Sequence, residues 1–172
     1  NLSVVQIDAD GVVFDGFLID TDNAALTGNG INLNGANPDV SSGIFATSNG
    51  STMTNLVVRN GLFACLAGYA PSGARDSNVI SNSFFTNCDA YDPNTPSFGI
   101  GLVVLNNYYA KITSNRMAGV GKGVQTNNFN VAAPTPGYVP EIAGNAIEAS
   151  RVGIWHNLFY QNAQTWSIAN NN

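Results

Sequence analysis

The sequence predicts an all-β solenoid, a parallel β-helix of about six coils with loop insertions, forming one domain over residues 1–172. Three observations carry this expectation. A motif recurs: an apolar residue, two spacers, an Asn (Asp in the first copy), a spacer and a second apolar residue. It reads Val12/Asp15/Phe17, Val57/Asn60/Leu62, Val79/Asn82/Phe84, Ile112/Asn115/Met117, Ile142/Asn145/Ile147 and a truncated Ile168/Asn171. A Gly before a larger residue stands eight positions after the Asn in three copies, Gly68-Tyr69, Gly123-Val124 and Gly153-Ile154. Two further copies delay that step to Gly43-Ile44 and Gly99-Ile100, as inserted loops would. Finally, apolar residues come in short bursts rich in Val, Ile and Phe, bounded by Gly, Asn and Ser, with no helical period, and such bursts read as strands. A repeat with insertions decides the architecture before composition does.

The motif positions are separated by 45, 22, 33, 30 and 26 residues. The shortest interval has room for about three short strands and their bends, but not for two helices. Coils of three strands stack at about 4.8 Å per step. A central Asn suits such a coil twice over: it tolerates the left-handed bend, and its amide can donate to and accept from the coils above and below. The expected ladder is Asp15, Asn60, Asn82, Asn115, Asn145 and Asn171. The competing reading is an all-β sandwich in which the Asn spacing is accidental.

Composition agrees with a solenoid. The 172 residues suit one domain and 44% are apolar, enough for a continuous core. Only 10% are charged, well below the usual quarter. A net charge of -5 argues against a nucleic-acid partner, whose phosphates need a basic face. No apolar run is long enough to span a membrane. The chain opens on Asn1 and stops in mid-coil at Asn172, and neither end carries an amphipathic cap. Open coils expose strand edges and core, so the expectation is further coils, a homo-oligomer or end-to-end stacking.

In chain order, residues 2–7 read as a strand. The first complete coil carries the longest insertion, 20–42, with Asp20, Asp22 and Asp39. Its Gly28-Asn29-Gly30 is turn chemistry, because no Lys-Ser/Thr follows. Cys65 and Cys88 fall five and six residues after their Asn positions, on adjacent coils. A disulfide and two stacked buried thiols are both compatible with that spacing. A second insertion, 89–97, holds Asp89, Tyr91 and Asp92 and should leave the same edge as the first, about 10 Å away. A third, 130–139, leaves another corner, where Asp8/Asp10, Arg75/Asp76, Tyr108/Tyr109/Lys111 and Tyr138/Glu141 should stack. The last full coil offers Glu148, Arg151, Trp155 and His156.

The segments Val12-Val13-Phe14-Asp15-Gly16-Phe17, Ser77-Asn78-Val79-Ile80-Ser81-Asn82-Ser83-Phe84-Phe85 and Lys111-Ile112-Thr113-Ser114-Asn115 resemble the right-handed parallel β-helix of the pectin-lyase-like superfamily. The resemblance covers nearly the whole chain. It implies right-handedness, as does the general preference of parallel crossovers. It also implies an extracellular, cell-surface or virion protein whose partner is carbohydrate. Two functions follow as expectations. One is a non-catalytic scaffold, such as a spike, adhesin or fibre segment, that binds or presents to glycans, with Tyr91, Tyr108, Tyr109, Tyr138 and Trp155 as sugar-stacking platforms. The other is a polysaccharide lyase, glycoside hydrolase or epimerase. There, Asp20, Asp22, Asp89 and Asp92 would supply paired carboxylates or calcium ligands. Arg75 or Lys111 would be the base of a lyase, with Tyr108 or Tyr109 donating to the leaving oxygen. Calcium is the one cofactor these residues could hold. The chain departs from the enzymes in lacking the pectate-lyase Arg signature and the polygalacturonase Asn-Thr-Asp, Asp-Asp, Gly-His-Gly and Arg-Ile-Lys blocks. Tyr91-Asp92-Pro93-Asn94 carries Asn94 where alginate epimerases carry His. The same acidic residues are also ordinary turn formers.

Overall fold

A computed structural model describes residues 3–22, 41–89, 99–128, 132–158 and 165–172. Their strands are β1 (Ser3–Ile7), β2 (Val13–Asp15), β3 (Leu18–Asp20), β4 (Ser42–Ala46), β5 (Thr52–Thr54), β6 (Val57–Arg59), β7 (Ala64–Ser81), β8 (Phe84–Cys88), β9 (Ile100–Thr113), β10 (Arg116–Asn128), β11 (Glu141–Ala143), β12 (Ala146–Leu158) and β13 (Ser167–Ala169). The long strands β7, β9, β10 and β12 continue round a bend, so each contributes to two faces. Every pairing is parallel, and the fold is an all-β, solenoid-like wrap around one axis.

The pairings form three stacks. The first runs β1, β4, the starts of β7 and β9, and the ends of β10 and β12. The second runs β2, β5, the ends of β7 and β9, then β11 and β13. The third runs β3, β6, β8 and the starts of β10 and β12. Alternation along each strand turns one apolar column inward from each stack. These columns are Ile44/Leu66/Leu102/Val124, Met53/Ile80/Ile112/Ile142 and Ile19/Val58/Phe85/Met117, all buried. Tyr108 joins the interior by lying over Gly68, where a Cβ would come within 2.5 Å of its ring.

Register revises the expected ladder. The bend between the second and third stacks is a column of left-handed residues: Gly16, Asn55, Asn82, Ser114, Gly144 and Asn170, with φ between 50° and 79°. The next position is a separate column running Phe17, Leu56, Ser83, Asn115, Asn145 and Asn171, buried from Leu56 to Asn145. Only its last three members were expected together. Asn115 Nδ2 donates to Asn145 Oδ1 (3.1 Å), and Asn145 Nδ2 to Asn171 Oδ1 (2.9 Å). Upward, the Ser83 amide donates to Asn115 Oδ1 (3.1 Å), and Ser83 Oγ accepts from the Leu56 amide (3.0 Å). Asn82 therefore bends the chain and is no rung. Asp15 precedes the bend on the outer surface, where its Oδ1 accepts from Asn55 Nδ2 (2.8 Å). Asn60 belongs to the bend between the third and first stacks, left-handed at φ 66°, alongside Asn87 and Gly119. Asn serves both bends for the same steric reason, so the one-letter pattern could not tell them apart. The apparent 22-residue coil arose from that confusion.

Cys65 and Cys88 form a disulfide with Cα atoms 5.9 Å apart at a sequence separation of 23. Cys65 opens one turn of the chain on the first stack and Cys88 closes the same turn on the third. The bond makes that turn a covalent ring.

Candidate functional site

Three clusters gather the candidate residues. The first lies where the third stack hands over to the first. Asp20 Oδ2 pairs with Arg59 Nε (2.8 Å), while Oδ1 accepts from Asn60 Nδ2 (2.6 Å) and the Asp22 amide (3.0 Å). Partial burial pushes the Asp20 carboxyl up, but these donors outweigh it and hold it below the ordinary range. Two steps along the same corner, Asp89 Oδ1 meets Arg151 Nη2 (3.4 Å) and Oδ2 accepts from Ser150 Oγ (2.9 Å). Gly121 makes room for this pair, since a Cβ there would overlap the Arg151 guanidinium and come within 2.5 Å of Asp89 Oδ1. The residues flanking both long insertions thus share one edge, as expected. Asp92, Tyr91 and Asp39 lie outside the described residues. Among the described residues, no three His, Cys, Asp or Glu come together in a way that could hold a metal ion.

The second cluster is at the bend between the first and second stacks. Asp76 is buried and accepts from the Thr135 amide (2.5 Å) and Ser77 Oγ (3.0 Å). Tyr109 donates to the Ala132 carbonyl (3.0 Å) and Tyr138 to the Asn78 carbonyl (3.3 Å). Burial, reinforced by the Asp76 charge, pushes both phenols up and keeps them neutral. Tyr108 and Tyr109 are buried, without a ring face at the surface for a sugar. Lys111 is exposed on the outside of the second stack, between Val79 and Glu141, while Tyr108 is interior. Lys111 and Tyr108 therefore sit on opposite sides of one wall. Arg75 is the register partner of Tyr108, and its Nε is buried without a hydrogen-bond partner.

The third cluster is the outer face of the first stack. Phe45, Ala67, Val103, Gln125 and Trp155 are successive register partners, so they span about 19 Å at the usual strand spacing. Ala67 and Val103 are buried in a small second core with Ala64 and Ile100, against which Phe45, Phe63 and Leu105 pack. In front of it lies a cavity of about 390 Å³ lined by Ser41, Ser42, Phe45, Leu62, Phe63, Tyr69 and Leu105. Phe45 and Tyr69 face each other at 6.2 Å between ring centroids. At the other end Trp155 is 41% exposed, with Lys122 Nζ 4.0 Å from its ring centroid. Of this face only Trp155 was expected. Phe45, Phe63, Tyr69 and Leu105 were missed because apolar runs buried on both sides show no alternation to read, and Lys122 and Gln125 because polar residues beside such a run read as solvent-facing.

Acid should weaken the fold in two stages. Burial depresses His156, whose Nδ1 lies 2.6 Å from Thr126 Oγ1. A depressed folded-state pKa gives stability that is complete above the unfolded value and lost as pH falls through the folded one. The His156 contribution therefore fades below about pH 6.5, and that of Asp20 below about pH 4. Melting temperatures at pH 8, 5.5 and 3.5 should fall stepwise, with His156→Gln flattening the first step and Asp20→Asn the second.

A scan against protein-family models finds none that matches, and no curated protein and no solved structure matches the chain.

Proposed function

We propose that this chain is a right-handed parallel β-helix of about six coils, of the pectin-lyase-like kind, that binds or presents to carbohydrate as a rigid scaffold. A place outside the cell, on its surface or on a virion, suits it, as a spike, adhesin or fibre segment would require. The observation that carries the reading is the outer face of the first stack. Its cavity is concave, apolar and aromatic, lined also by Ser41 and Ser42, and its volume falls in the range of ligand sites. Trp155 extends the same face towards the C-terminal end. Aromatic rings such as Phe45 and Tyr69 take the apolar faces of sugar rings. The disulfide adds support for an oxidising compartment.

The enzymatic alternative has less behind it, because Asp20 and Asp89 are each engaged by an arginine. A glycan array followed by affinity electrophoresis tests the scaffold reading. Binding to at least one glycan class is expected, weakened roughly tenfold by Tyr69→Ala or Trp155→Ala with an unchanged melting curve. Turnover of a bound polysaccharide that Asp89→Ala abolishes would replace this reading with the enzymatic one. Binding that survives both aromatic substitutions would move the site off this face.

A further inference from the structure

Lys122 is only 4% exposed, yet among the described residues it makes no ion pair. Its Nζ donates to Gln125 Oε1 (2.9 Å) and otherwise faces the Trp155 ring. Its register partners on either side, Ile100 and Val152, are apolar. The nearby Asp89 carboxylate is already taken by Arg151 and Ser150. A desolvated ammonium usually sits against a carboxylate. This one has a neutral amide and an aromatic face instead, and burial together with the Arg151 charge destabilises its protonated form.

We propose that the Lys122 ammonium is the binding site for an oxyanion borne on a saccharide, a carboxylate or a sulfate ester, and that Trp155 holds its place in the free protein. A ring quadrupole is a weaker partner for an ammonium than a charge-assisted hydrogen bond, so an arriving oxyanion displaces the indole. It gains Lys122 as donor and the Arg151 charge beside it. The saccharide half of the proposal comes from Asn127, two residues beyond Gln125 on the same strand. Its Oδ1 is buried without a hydrogen-bond partner. About 6.6 Å of strand separates the two positions, a span that one sugar ring can bridge, with its hydroxyl donating to Asn127 Oδ1. The proposal rests on the carbohydrate reading above and adds the charge class of the sugar.

The test is titration of the whole chain with glucose, glucuronate, glucose 6-sulfate and inorganic sulfate, by calorimetry and tryptophan emission. At least one acidic sugar should bind tenfold or more tighter than glucose and change the Trp155 emission. Lys122→Gln should reduce that sugar to the level of glucose, and Lys111→Gln, altering the only other lysine, should leave the preference intact. Equal affinity for glucose and both acidic sugars would overturn this proposal while leaving the carbohydrate reading standing. Loss of the preference in Lys111→Gln would also overturn it. Inorganic sulfate binding as tightly as the sulfated sugar would overturn its saccharide half. Absence of binding by every sugar would overturn this proposal, and only if no glycan on the array binds either would the carbohydrate reading fall with it.

Discussion

Reduction of the Cys65–Cys88 disulfide, or its replacement by Cys65→Ala/Cys88→Ala, should lower stability by about 3 kcal/mol. That figure is the chain entropy returned to the unfolded state when a loop of this length is opened. For a chain of this size the shift amounts to roughly 10 °C in melting temperature. The same bond should matter more under load. A solenoid pulled from its ends unwinds turn by turn, and a turn whose start and finish are bonded cannot lengthen. Force–extension traces should therefore show the oxidised chain shorter at full extension than the reduced one by about 80 Å, the reach of the 23 intervening peptide steps. Equal contour lengths with and without reductant would mean that the two cysteines do not close a turn.

The sequence made the wrap legible because inward apolar positions and bend residues are separate demands that both leave marks. Ile80, Ile112 and Ile142 repeat with a residue two positions later that tolerates a left-handed backbone. Spacing alone could not say which Asn bends and which bonds. Asn82 and Asn115 look equivalent in the motif, yet they sit in adjacent columns with opposite duties, one exposed at φ 50° and one buried. The same ambiguity placed Asn60 on the wrong bend. The acidic edge was legible from insertion positions, but its ion pairs were not: Arg59 and Arg151 lie 39 and 62 residues from their partners. The aromatic outer face left least trace. Ala67 and Val103 are outward yet buried, so the period-two signal that separates core from surface is erased where the wall is covered on both sides.

Asn145→Ala should be the most damaging single polar substitution, at about 3 to 4 kcal/mol, because this amide is the middle rung, with an Asn rung on each side. It is fully buried. Its Oδ1 accepts from the Asn115 amide (2.9 Å) and from Asn115 Nδ2 (3.1 Å), and its Nδ2 donates to the Ile112 carbonyl (2.9 Å) and to Asn171 Oδ1 (2.9 Å). Truncation leaves the Asn115 amide buried without a partner, at about 1 to 3 kcal/mol, and removes one further bond each from Asn115 Nδ2, the Ile112 carbonyl and Asn171 Oδ1, offset in part by relaxation and water entry. Asn171→Ala should cost less, because that rung is only partly buried and has a neighbouring rung on one side alone. Asn145→Asp separates geometry from chemistry: it keeps the size but replaces two N–H donors by a second acceptor facing Asn171 Oδ1. Chemical denaturation at neutral pH should place Asn145→Asp at least as low as Asn145→Ala, and lowering the pH to protonate the aspartate should recover part of the loss. If both variants unfold with the wild-type midpoint, the amide column is decoration, and stacking of the isoleucines alone holds the turns in register.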